Sequence, residues 1–64
     1  MGIAIEDARR VARFRELQRV EDARIVMAKA DRVCRRSASP QNLFAHDAAW
    51  QNWARLYQAA GFTL

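Results

Sequence analysis

One cysteine, one proline, one histidine and two glycines are all that this 64-residue chain carries of the residues that usually staple, punctuate or catalyse. With Cys34 alone, neither an intrachain disulfide nor a cysteine-based zinc cluster can form. A lone thiol suits a reducing compartment. The only glycines, Gly2 and Gly61, leave no Gly-rich phosphate loop. Apolar residues run unbroken for four positions at most, Ile25 to Ala28, far short of the ~20 that cross a bilayer. The opening stretch Met1-Gly2-Ile3-Ala4-Ile5-Glu6-Asp7 has neither a basic start nor a sustained apolar core, so no secretory leader is expected. His46 has Asp47 as its nearest carboxylate in sequence, but the two project about 100° apart on a helix. No nucleophile, base and orienter come together with Cys34, so catalysis, a cofactor and a metal are not expected.

What is present is charge, placed unevenly. Ten of the eleven basic residues and six of the seven acids lie between Glu6 and Arg36. The remainder, from Ser37 onward, is nearly neutral and aromatic. Glu16 with Arg13 and Arg19, Glu21 with Arg24, and Asp31 with Arg35 sit three or four residues apart and can pair along a helix, each for only ~0.2–0.5 kcal/mol. The excess falls on Arg9, Arg10, Arg13, Arg15 and Arg19, then on Arg32, Arg35 and Arg36, and spreads around much of the helix. A nucleic-acid-reading helix concentrates its basic residues on one face. Ten arginines against one lysine favour bidentate contacts to carboxylate or phosphate.

The fold class is all-α: a helical hairpin in one domain of residues 1–64. Helix 1 is expected over about residues 5–36, a turn at 37–40, and helix 2 over about 40–60. Glu6 and Asp7 suit the positive end of the first helix, and Arg35 and Arg36 its negative end. Val20, Ala23, Met27, Ala30 and Cys34 recur at spacings of three and four, an amphipathic stripe. Val11, Phe14 and Leu17 step by three instead, which carries each about 60° backward around the helix. The two stripes face nearly opposite ways. A continuous or gently bent helix is expected, a break near residues 18–22 being the alternative. Ser39 precedes Pro40 as cap before first-turn proline. At the far end Gly61 can turn left-handed, with Phe62 folding back on Tyr57. Leu43, His46, Ala49, Trp50, Trp53, Leu56, Tyr57 and Ala60 form one face of helix 2.

Length turns this pattern into an expectation about assembly. Helix 1 is roughly 45 Å long and helix 2 roughly 30 Å, so Val11, Phe14 and Leu17 lie beyond the cover of helix 2. A chain this small buries only ~60% of the surface its unfolded form exposes, and such domains usually need a staple. Self-association is the staple left. A homodimer in a four-helix arrangement is expected, with Val11, Phe14, Leu17, Arg9, Arg10, Arg13 and Arg15 as dimer or partner interface. His46, Trp50, Trp53 and Tyr57 form an aromatic stripe expected in the core, with a partner anchor as the alternative.

In order along the chain, Pro40, Trp50 and Trp53 resemble the ribosome modulation factor family, short basic proteins that join two helices through a proline-containing turn and carry paired tryptophans in the second. Their glycine-rich first helix has no counterpart here, and Asn52-Trp53 stands where they have Gly-Trp. The resemblance implies a ribosome-bound role. The residues themselves point to a small regulatory protein that binds and modulates or inhibits a partner protein. Direct DNA or RNA binding is the alternative. A cytoplasmic setting and a phage or plasmid origin fit the size and the Arg/Ala-rich composition, and no membrane is involved.

Overall fold

The computed structural model describes residues 4–64; the expectation about a leader at Met1, Gly2 and Ile3 lies outside them. Two α-helices form an antiparallel hairpin, α1 over Ile5–Arg36 and α2 over Pro40–Ala59. No strand occurs among the described residues. α1 runs without interruption through residues 18–22, as its run of good helix formers with no proline or glycine dictates. The hairpin measures 56 × 19 × 13 Å, a flat slab with two broad faces. No described helix is long and apolar enough to cross a membrane.

Local chemistry sets the ends. The Ser39 hydroxyl accepts from the Asn42 N–H at 3.2 Å, with Pro40 in the first helical turn. The Asn42 side-chain amide donates to the Ser37 carbonyl at 2.7 Å, stitching the turn from the other side. At the end of α2, Gly61 takes φ +96°. Its N–H donates to the Gln58 carbonyl at 2.9 Å, and that of Phe62 to the Tyr57 carbonyl at 3.2 Å. These two bonds are the pair that closes a helix through a left-handed residue.

The seam between the helices is built on small side chains. Ala23, Ala54 and Ala60 are buried, and no large side chain is fully so. Around them Val20, Met27, Ala30 and Cys34 of α1 are half-buried, as are His46, Ala49, Trp53, Leu56 and Tyr57 of α2. Two members of the apolar face of α2 depart from this seam: Leu43 and Trp50 stand about half exposed at its margin. A single facing helix covers a narrower arc than the apolar face spans, so the residues at the arc's edge stay in solvent.

The positive φ of Gly61 gives a direct test of this cap. No atom lies within 4 Å of where a Cβ would sit, so Gly61→Ala meets no clash and bears only the conformational cost of the left-handed region. Chemical denaturation should show a loss of about 1–2 kcal/mol, with Ser39→Ala costing about 1 kcal/mol at the other end of α2.

Candidate interaction surfaces

The residue positions around each helix follow from about 100° per residue, and two grooves beside the seam fix which flank of α1 shares a face with which flank of α2. On one broad face Arg19, Asp22, Val26, Asn52 and Leu56 line a common groove. On the other, Met27, Ala28, Asp31, His46 and Trp50 do so. The first is here termed the basic face and the second the tryptophan face.

Charge separates them. Among the described residues Arg13 pairs with Glu16 at 2.7 Å, Arg24 with Glu21 at 2.6 Å, and Arg35 with Asp31 at 2.9 Å. Helical position puts these arginines on the tryptophan flank of α1. The Arg24 guanidinium, hydrogen-bonded to Glu21, holds that carboxyl below the ordinary glutamate range and is itself raised in return. Arg19, at pairing distance from Glu16 in sequence, makes no ion pair among the described residues. It joins Arg15, Lys29 and Arg36 on the basic flank, where the one acid is Asp22, bound to Gln18 at 3.1 Å. Lys29, Arg32 and Arg36 also surround Val33 in a shallow hollow near the turn.

An aromatic ladder runs along α2. Trp50 meets Trp53 at 6.4 Å between centroids, Trp53 stacks on Tyr57 at 4.9 Å, and Tyr57 stacks on Phe62 at 4.8 Å. The last ring is covered by the Arg13 guanidinium, 5.4 Å from its centroid, and Arg13 also donates to the Ala60 carbonyl. One arginine of α1 therefore clasps the open end of the hairpin. At the other end His46 Nε2 lies 3.2 Å from Asp31 Oδ1 across the seam, while Arg35 holds the second oxygen of the same carboxylate.

The side chains expected at an interface are thus dispersed. Val11, Phe14 and Leu17 are all exposed, Phe14 by 67%. Their backward drift carries them round the outer edge of α1, from the basic flank at Val11 to the tryptophan flank at Leu17. Arg9, Arg10 and Arg15 carry no ion pair among the described residues, whereas Arg13 is engaged within the chain. His46, Trp53 and Tyr57 belong to the seam, and Trp50 is 46% exposed. Residue spacing passed over Phe44, 78% exposed on the outer edge of α2, and Val26 and Val33 on the basic flank. Each lies off the seam on a helical wheel, which is the signal that would have found them.

No protein-family model, no curated protein and no solved structure matches the chain.

Removing the clasp should release the end of α2. Arg13→Ala is expected to cost about 1–2 kcal/mol, the sum of a cation–π contact and a charged hydrogen bond at a half-exposed site. Amide exchange should accelerate first at residues 58–62. Arg10→Ala should stay within about 0.5 kcal/mol of the parent.

Proposed function

We propose that this chain is a small non-enzymatic regulatory protein, acting as a cytoplasmic homodimer that binds a partner protein and modulates or inhibits it. The observation that carries this reading is the imbalance of surface over core. Three alanines are buried, while Ile5, Val11, Phe14, Val26, Phe44 and Leu64 are at least half exposed. Among them Val11 and Phe14 lie one turn apart on α1, and exposed apolar side chains that stand together on a charged protein mark a place where another macromolecule binds. By helical position Arg10 lies one turn from Phe14 and Arg15 one turn from Val11, both unpaired among the described residues, while Arg9 projects to the other side of the helix. Charge that speeds encounter, beside apolar area that holds the complex, is what docking on an acidic protein surface requires.

Capture from a nuclease-treated lysate, with the parent chain and with an Arg10→Glu/Arg15→Glu variant, tests this. The partner should survive nuclease and be lost with the variant, while helicity stays unchanged. Normal capture by that variant, with failure on changing Tyr57 or Phe62, would move docking to the end of α2.

Direct binding of DNA or RNA, including a ribosome-associated role, is the second reading. One observation favours it: Arg15, Arg19, Lys29 and Arg36 lie unpaired on one flank of α1. If all four contacted phosphates of a duplex, log affinity would fall against log salt with a slope of roughly −3.6 per protomer. Weak, sequence-independent binding is expected at physiological salt. A tight complex with one specific site, measured by fluorescence anisotropy, would make nucleic acid the partner.

A further inference from the structure

We infer that the tryptophan face is the surface on which a second copy of this chain packs, leaving the basic face outward. This rests on the self-association proposed above and names the face that serves it. Charge and apolar content choose between the two faces of the slab, and a third property, area, bears on whether one face is enough.

Charge is the first. A two-fold axis brings a face against itself, so residue i meets residue j of the copy and j meets i, and every charge on the face meets residues of that same face. On the basic flank of α1, four bases (Arg15, Arg19, Lys29 and Arg36) stand against the single acid Asp22. Apposing that flank with its copy would confront like charges with few counter-charges, an arrangement that opposes association. On the tryptophan flank Arg24 and Arg35 already hold Glu21 and Asp31, and Asp47 of α2 accepts from Gln51 at 3.0 Å. Arg10 and Arg32 also fall on this flank by helical position, offset in number by Glu6 and Asp47, so the face is near neutrality and meets itself with less repulsion than the basic one.

Apolar content is the second. Leu17, Leu43 and Trp50 are exposed on this face, and Trp50 lines the groove with Met27 and Ala28, whereas the basic face exposes the smaller Val26 and Val33. Trp50 is the exposed end of the aromatic ladder, its ring set at 58° against Trp53, which is itself stacked on Tyr57 in the seam, so the indole is backed on one side. A half-exposed indole braced from behind is the residue type that anchors interfaces at little further entropic cost.

Area is the third. The product of the two longer extents, 56 and 19 Å, gives a broad face of roughly 1,000 Å². A stable interface takes about 800 Å² from each partner. One broad face is sufficient. Packing by this face also makes a four-helix layer in which Met27, Ala28 and Trp50 acquire the second neighbour that the hairpin lacks.

Sedimentation at micromolar concentration tests the assignment. Trp50→Glu and Ala28→Arg should weaken the dimer by at least roughly thirtyfold, the size of a hot-spot loss. Val26→Arg and Arg19→Glu, on the other face, should leave it intact. Because losing the dimer could unfold the chain, a second measurement avoids that perturbation. In a Cys34→Ser background, single cysteines at Leu17, Ala28 or Leu43 on the tryptophan face, or at Val26 or Val33 on the basic face, are treated with a bis-maleimide of about 10 Å reach. Efficient cross-linking at one or more of positions 17, 28 and 43, and none at 26 or 33, is the expected result. Cross-linking at none of the five, with the dimer intact, counts against this face. A dimer that cross-links at 26, or that persists in Trp50→Glu, overturns the choice of face but keeps self-association. A folded monomer at all concentrations overturns both.

Discussion

Each helix of this molecule has one neighbour, and that constraint governs everything else. A helix in a larger bundle can hide a wide apolar arc between several partners, but a hairpin hides only the strip where two cylinders meet. Where the strip is most buried it is filled by alanine: Ala23 on α1, Ala54 on α2 and Ala60 just past its end. Small residues bring the helices close, and the larger ones splay to either side, as Trp50 and Leu43 do. The consequence is a protein whose hydrophobic residues are plentiful and whose interior is scarce. Its regular helix ends, with Ser39 and Gly61 as caps, supply by local bonding some of the order that a larger core would supply by packing.

The net charge of +4 is likewise resolved by geometry rather than by composition. Carboxylates on one flank of α1 absorb the arginines three or four residues away. On the other flank Arg19 has Glu16 and Asp22 three residues away and pairs with neither, and Arg15, Lys29 and Arg36 make no ion pair among the described residues. A single helix thus gives the slab two chemically distinct sides, one with most of its charges paired and one with an excess of bases. The sum over the chain conceals this division, since it weighs neutralised and unneutralised arginines alike.

What could be foreseen from residue order was what is local. The bounds of α1 and α2, the Ser39 cap and the closure through Gly61 depend on neighbours within six residues and emerge where spacing places them. The continuity of α1 through residues 18–22 follows from the same source, the lack of any residue that would break it. The Arg13 clasp was not foreseeable in this way. It joins residues 47 apart, and only the register of the hairpin decides which arginine arrives opposite the end of α2. Trp50 illustrates the same limit: helical spacing assigns it to the apolar face, but the width of the covered strip is a property of the pair. The exposure of Phe44 followed from its position on the wheel, and was passed over because a lone aromatic off the stripe carries no periodic signal.

The Arg13–Ala60 bond also gives the hairpin a direction in time. Contacts near the turn join residues close in sequence, and each successive rung toward the open end encloses a longer loop. Longer loops cost more entropy to close, so ordering proceeds most readily from Pro40 outward, like a zipper whose slider starts at the turn. The clasp is then the last tooth to engage and the first to part. Partial opening therefore begins at the end where Phe62 meets Arg13 and leaves the turn intact, so the stretch of α1 beside the free arginines lies in the part of the molecule that yields first.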